Sequence, residues 1–455
     1  MMLVQIPVTT EVIEKNADLQ PSGKVEENRI VIEFDTRKRD YHKLFNLKRS
    51  VEISWINDLS FEVQELSAFS WPIVYRITTA TGYYAAEPGK RIYFTPEVAG
   101  LSTQRKVSNV LMRLGVFLCI IAGLGSRKAS WLMSVLFQVT ISKSSLDRWV
   151  DEVADSLPSE DEMVKLLHQQ KPITQGHLDE IFPLGTEACV LVLKDEHGRI
   201  VAAQEVEKRD EEHTKPFLER LKRLELEITV FYIDHWQAYF NAIGMVYPQA
   251  EIQYDYFHIL QNIWRKVWGE FRAHRRDLKA RGEAAATKWY SEKLKGIATK
   301  LWKNRYIFFK AEENLSAKEK EVMQEVLQTQ PEVSFMRRFL LKVWAIFEGP
   351  TTEEEAQAKL AELKEYVTHH EKDGYTKSVS FLEEHFKNMT TFLRVPGVQR
   401  NSLAESGMRV LRRLEREHDG FRSEKSRQNA LKIYQAVTYL GWSIHNPPNL
   451  AVSDG

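Results

Sequence analysis

Asp234, Asp255 and His258 are the residues whose types and spacing suggest chemistry. The run from Ile228 through Thr229, Val230, Phe231 and Tyr232 to Ile233 is apolar, β-branched or aromatic on both faces, and it stops at Asp234. So short a run suits a buried central strand, which sets Asp234 at a strand's carboxyl end, where α/β sheets gather their sites. A second strand candidate, Ala250–Tyr254, ends in Asp255, with His258 three residues later. Carboxylates suit hard divalent cations, and the stretch that follows is basic, helical in pattern and rich in Trp. Together these form a metal-site pattern of a nucleic-acid enzyme.

The preceding segment supplies the rest of a sheet. Ile173–Ile181 is a strand candidate that contains Asp179 and Glu180. Ala188–Leu193 and Arg199–Val206 form a hairpin around the turn Lys194-Asp195-Glu196-His197-Gly198, whose turn-forming composition makes Asp195 a turn residue and not a ligand. Lys208–Leu226 has the periodicity of an amphipathic helix. The resulting order β-β-β-α-β-α-β is that of a ribonuclease-H-like core. Its first and fourth strands lie side by side, which makes Asp179 and Asp234 candidate partners, with Glu180 as the rival to Asp179.

The fold class expected is therefore α/β: a ribonuclease-H-like mixed sheet with a large all-α insertion. An N-terminal mixed or β-rich region and a helix-turn-helix-like segment precede it. Residues 1–100 carry strand-like runs such as Arg29–Phe34 and Ile73–Thr79 between turn signals at Gly82 and Pro88-Gly89. Over 101–157 the pattern is helical. Ser102–Ala122 is one helix candidate, and Ser130–Phe137 and Ser144–Ala154 read as helix-turn-helix, with Ser142 or Ser144 as N-cap and Lys143, Ser145 and Arg148 available to a DNA groove. An ordinary αα-hairpin is the plainer reading of the same pattern. The acidic stretch Asp151–Glu162, with Pro158, reads as a linker. The core is assigned to 158–258 and 395–445, and the helical insertion to 259–394. Within the insertion, Arg265 to Arg305 is dense in bases, including Lys266, Arg272 and Arg276, which are candidate phosphate contacts. After the loop at 395–400, a helix is expected from Asn401 or Ser402 to about Glu417.

These residues resemble the DDE transposases of bacterial insertion sequences. Tyr232-Ile233-Asp234-His235-Trp236-Gln237-Ala238-Tyr239, with Tyr247-Pro248-Gln249-Ala250, is similar to that family's second-aspartate motif. Asp255-Tyr256-Phe257-His258 resembles the Cys/Asp-x-x-His signature of members with a helical insertion. Asn401-Ser402-Leu403-Ala404-Glu405, followed by Arg409, Arg412, Arg413 and Arg416, resembles the glutamate motif. The resemblance covers about Ile173–Leu440. It implies cleavage at transposon ends and strand transfer into target DNA, with Asp179, Asp234 and Glu405 holding two Mg²⁺ ions (Mn²⁺ as substitute). Asp255 and His258 would support the site, and Arg409, Arg412 and Arg416 would meet DNA. It also implies a homo-oligomer, a dimer, on the DNA. Two other carboxylates, Glu415 and Glu417, share the last helix. Glu405 lies off its apolar stripe of Leu403, Val410, Leu411 and Leu414, on the face of the arginines, although Ser402-x-x-Glu405 also fits a capping box.

Composition narrows the setting. Lys+Arg and Asp+Glu are both 63 in 455 residues, so the partner is signalled by where charges cluster and not by net charge. The only cysteines, Cys119 and Cys189, make no disulfide framework and suit a reducing cytoplasm. The N-terminus lacks a signal-like apolar region, and Leu114–Leu124 is too short to span a bilayer. A cytoplasmic, membrane-free protein is expected. The competing readings are a domesticated, inactive DNA-binding protein and a ribonuclease-H-like nuclease without strand transfer.

Overall fold

Strand-forming runs on both sides of a helical segment produce two separate sheets. The computed structural model describes residues 12–444 except 27–28, 69–70, 88, 100, 102–106, 139, 184–188, 401, 418–420 and 422, and excludes the side chains of 66–68, 71–72, 86, 373, 404–408 and 417. The chain divides into two units, residues 1–171, 182–186 and 408–455, and residues 172–181 and 187–407.

The first unit begins with a mixed sheet of β1 (Ser22–Glu26), β2 (Arg29–Asp35), β3 (Ile53–Ala68), β4 (Trp71–Glu87) and β5 (Lys90–Phe94). Its order is β1-β2-β4-β3, with β5 on β4, and β2 runs parallel to β4. Inward residues including Phe34, Val63, Ile73 and Tyr75 make its core. Gly82 is not the turn expected of it. It lies within β4, where a Cβ would stand 2.3 Å from Cζ of Phe94, so glycine here permits close ring packing. The turn falls at Gly89, with φ +81°.

Four helices follow: α1 (Asn109–Ile120), α2 (Gly125–Phe137), α3 (Lys143–Asp155) and α4 (Glu160–Gln170). Ser142 caps α3 by accepting from the Ser145 N–H. Leu146, Trp149, Val150 and Val153 are its buried face. Lys143 is ion-paired to Asp147 at 2.9 Å, and Arg148 lies 3.6 Å from Glu152. The acidic stretch from Asp151 to Glu162 is not a linker. It completes α3 and opens α4, because Ser159 and Glu162 form a capping box and three acids suit a helix N-terminus.

The second unit holds β6 (Gln175–Ile181), β7 (Cys189–Asp195), β8 (Ile200–Val206), β9 (Val230–Ile233) and β10 (Glu251–Tyr254). Their order is β10-β9-β6-β7-β8, antiparallel across β6, β7 and β8 and parallel across β6, β9 and β10. This is the ribonuclease-H-like sheet. Every residue of β7 is buried, as a central strand requires. Asp195 is the turn residue expected, accepting from the His197 and Arg199 N–H groups and pairing with the Arg199 side chain at 2.6 Å. Helices α5 (Glu211–Arg223) and α6 (Gln237–Val246) connect β8 to β9 and β9 to β10.

Between β10 and the last carboxylate-bearing helix come α7 (Tyr256–Glu283), α8 (Lys288–Lys303), α9 (Ala317–Thr329), α10 (Pro331–Phe347), α11 (Glu353–His369) and α12 (Asp373–Met389). Then α13 spans Ala404–Glu417 and α14 Glu424–Thr438. Helix α13 starts at Ala404, later than expected from the sequence, because the backbone of Leu403 is bonded to side chains of the sheet. No helix among the described residues is long and apolar enough to cross a membrane.

In the first unit, α14 packs on α3. Asn429 Nδ2 donates to Asp151 Oδ1 at 2.8 Å, and Lys432 Nζ donates to the Ala154 carbonyl at 2.7 Å. Leu411 and Leu414 of α13 are buried, and Glu415 beside them is buried in an ion pair with Arg427 at 3.2 Å. Removing one member strands a buried charge, which typically costs about 3–5 kcal/mol. Arg427→Ala is expected to lower stability to denaturant by about that amount, and the double change Glu415→Leu with Arg427→Met should recover most of the loss.

Candidate active site

The sheet register brings three aspartates to one level. In the β6–β9 ladder Gln175 pairs with Val230 and His177 with Tyr232, and the same offset carried two residues further sets Asp179 beside Asp234. In the β9–β10 ladder Tyr254 pairs with Ile233, and the Asp255 N–H donates to the Ile233 carbonyl at 2.8 Å, so Asp255 follows next to Asp234. Strand alternation puts His177 and Asp179 on one face of β6 and Glu180 on the other.

Arg209, just after β8, joins these groups. Its guanidinium pairs with Glu180 at 3.0 Å and bonds Oδ2 of Asp234, and it lies over the rings of Trp236 (4.6 Å) and Tyr239 (5.1 Å). Trp236 Nε1 donates to the Arg209 carbonyl at 3.1 Å. The buried Tyr239 hydroxyl donates to Glu180 Oε2 at 2.5 Å. The Glu180 carboxylate is thus occupied by Arg209 and Tyr239. Asp179 Oδ1 takes only a short-range bond from the Glu180 N–H, at 2.9 Å. Oδ1 of Asp234 is buried and has no hydrogen-bond partner among the described residues.

Burial pushes the Asp179 carboxyl up to about 6, and the neighbouring Asp234 charge adds to the rise against the opposing Glu180 N–H. Burial likewise pushes Glu180 up to about 7, with Arg209 pulling it back. Asp255 is also raised, by burial first, while its N-cap bond from the Phe257 N–H at 2.8 Å works the other way. His258 acts on Asp179 and Asp255 through its charge. His235, next to Asp234, faces His385 of α12 with Nε2 atoms 2.8 Å apart, and burial lowers both rings. At that distance one nitrogen donates and the other accepts.

A buried carboxylate oxygen without a partner beside a second, like-charged carboxylate is a donor set that a hard cation satisfies. Asp179 and Asp234 could therefore hold one, with Asp255 at the same level. Among the described residues no three His, Cys, Asp or Glu side chains already stand as a ligand group. Glu405 lies in the first turn of α13, but its side chain, like Asn401 as a whole, is outside the described residues.

The candidate DNA contacts fall on three helices: Lys143 and Arg148 on α3, each near an acid of its own helix, and the rest on α7 and α13. On α7, Arg272 and Arg276 are exposed and have no carboxylate partner among the described residues. Arg265 bonds Gln261, and Lys266 pairs with Glu270 at 2.6 Å. Several other bases of that run are also ion-paired within the helices, including Arg281 with Asp277 and Lys300 with Glu325. Arg409, Arg412 and Arg416 of α13 are exposed.

Sequence reasoning gave no role to Arg209 or His177 and took Tyr239 only as part of a motif; Lys194, expected in the turn, instead lies in β7 opposite His177, because the strand extends to Asp195. For Arg209 the only signal was a base at a strand-to-helix junction. His177 was findable, since it stands two residues before Asp179 on the same strand.

Residues 178–430, more than half of the chain, match the family of DDE transposases of the ISL3 type, described as Transposase. No curated protein matches the sequence. Among solved structures, the chain is similar to one described as the Drosophila P element transposase strand transfer complex, at 10% identity and a TM-score of 0.33, covering 78% of this chain and 94% of that one. A likeness that low does not bear on the fold.

The raised carboxyls make stability depend on pH. A carboxyl that holds its proton more tightly in the fold than in the unfolded chain stabilises the fold in acid, and loses that contribution as pH rises through the folded value. For Asp179 and Glu180 the contribution is complete below the ordinary values of 3.8 and 4.5 and is lost by about 6 and about 7. Metal-free protein should therefore show a melting temperature pulled down by this site as pH rises from about 4 to about 7, with Asp179→Asn flattening the slope in calorimetry.

Proposed function

This chain belongs to the ISL3-type family of DDE transposases, and we propose that it cuts DNA at the ends of its element and joins the exposed 3′ ends to target DNA. The observation that carries the reading is the β6–β9 register, whose offset, carried two residues past His177–Tyr232, aligns Asp179 with Asp234, while Oδ1 of Asp234 has no hydrogen-bond partner among the described residues. Asp179, Asp234 and Glu405 would hold divalent cations, Mg²⁺ or Mn²⁺. Held there, such cations would supply activation of the attacking oxygen and charge stabilisation of the leaving one in phosphodiester exchange.

The protein's own groups do the rest. Arg209 bonds one oxygen of Asp234, and the other has no hydrogen-bond partner among the described residues. Glu180 and Tyr239 hold Arg209 in place from the opposite face of β6. Asp255 caps α7, so the helix that bears Arg272 and Arg276 starts at the level of the carboxylates. Arg409, Arg412 and Arg416 line the exposed face of the helix that carries Glu405. These bases would neutralise phosphates without reading sequence. DNA ends and target are the partners, and a dimer on DNA is the assembly that brings two ends together.

The direct test incubates the protein with duplexes of its own element's ends and Mg²⁺ and maps the 3′ ends. Asp234→Asn and Glu405→Gln should each lower cleavage by orders of magnitude while leaving folding and end binding intact, because the amide keeps the shape and removes the charge. Normal cleavage by Asp234→Asn would falsify the assignment. Replacing Arg272 and Arg276 together with Ala should weaken DNA binding about equally across sequences and reduce the slope of log affinity against log salt by about 2. An unchanged slope places the phosphates elsewhere.

A further inference from the structure

Leu403, the residue immediately before α13, is gripped at both backbone groups by side chains of the sheet. Its N–H donates to His177 Nδ1 at 3.0 Å, and its carbonyl accepts from Lys194 Nζ at 2.9 Å. His177 and Lys194 are directly opposite each other in the β6–β7 ladder. Both are buried, to 2% exposure each. The Ser402 hydroxyl also lies 3.3 Å from His177 Nδ1. The imidazole is itself fixed, stacked on Tyr232 with centroids 4.0 Å apart and planes 18° from parallel. Tyr232 in turn holds the incoming loop: its hydroxyl accepts from the Gln399 N–H at 2.8 Å and donates to Gln175 at 3.1 Å, and Val398 packs on its ring.

We propose that His177 and Lys194 form a cross-strand clamp that sets the register of α13 against β6, and so positions Glu405 relative to Asp179. The proposal rests on the reading of Asp179, Asp234 and Glu405 as one cation site. Its physical basis is the brevity of the connections. His177 is two residues from Asp179 on the same face of the same strand, and Leu403 is two residues from Glu405 at the entrance to its helix. A helix fixes each residue about 1.5 Å along its axis and about 100° around it from the last, so anchoring Leu403 determines where residue 405 emerges. Core packing alone would be served more cheaply by apolar residues, because a buried lysine and a buried imidazole each need a hydrogen-bond partner to be tolerated. Here each of them bonds the same residue of the incoming helix. His177 and Lys194 are positioning residues that touch neither substrate nor cation.

The test separates positioning from packing. His177→Phe keeps the ring and its stack on Tyr232 but removes the acceptor, and His177→Asn restores an acceptor oxygen near the place of Nδ1. Lys194→Met keeps the stem and removes the donor. Three quantities are measured: Mn²⁺ affinity of the DNA-free protein by electron paramagnetic resonance, kcat and KM for cleavage of an end duplex, and melting temperature. Loss of an orienting partner of a metal ligand typically costs about 10–100-fold in metal affinity or rate, and that loss is expected for His177→Phe and Lys194→Met, in Mn²⁺ affinity and kcat with KM unchanged. His177→Asn should recover most of it, and the double variant should lose little more than either single change. Wild-type Mn²⁺ affinity and kcat in His177→Phe would overturn the clamp, as would an Asn variant as impaired as Phe. If His177→Phe does not fold, Lys194→Met decides the same question. Should Asp234→Asn and Glu405→Gln themselves bind Mn²⁺ and cleave normally, the cation-site reading fails first, and with it the clamp's purpose.

Discussion

Two carboxylates brought together at the end of a parallel strand pair are the constraint around which the second unit is arranged. Asp179 and Asp234 sit side by side because β6 and β9 pair in that register, and like charges so placed in a half-buried site repel. The fold offsets the repulsion with one cation, Arg209, which also absorbs Glu180. That arrangement leaves one oxygen of Asp234 without a hydrogen-bond partner among the described residues. An apolar pair at these positions would be better for stability alone, so the strain is informative. Surplus negative charge and an unbonded oxygen are what the proposed cation would satisfy.

Everything else in the second unit can be read as support for that level of the sheet. Tyr239 from α6 and Trp236 before it hold Arg209 from the side and by stacking. Asp255 ends β10 and caps α7, coupling the sheet to the insertion, and the His235–His385 pair makes a second link to α12. The loop into α13 is sewn to the sheet through Tyr232, His177 and Lys194.

Much of this was legible from sequence, for physical reasons. The strand that leads to Asp234 declares itself because a strand buried on both faces must be apolar on both, as β9 is, whereas β6, which carries Asp179, is mixed in composition and is recognised from its place before the β7–β8 hairpin. The β-β-β-α-β-α-β order then leaves few ways to arrange the sheet. Arg209 was not legible, since its partners Glu180, Asp234 and Tyr239 lie 25 or more residues away and no local pattern marks a long-range ion pair. The acidic segment Asp151–Glu162 misled because its composition resembles a linker, whereas Ser159 and Glu162 close a capping box. Gly82 misled in the opposite sense: it is glycine to admit the ring of Phe94 and not to turn the chain.

The account turns on Asp179 and Asp234 sharing a divalent cation. Crystals of the protein with an end duplex, soaked in Mn²⁺ and measured for anomalous scattering, test this most directly. The account predicts a peak between the two side chains, within bonding distance of Oδ1 of Asp234. Saturating Mn²⁺ with no peak there, or with a peak held by Glu180 in place of Asp179, would contradict it.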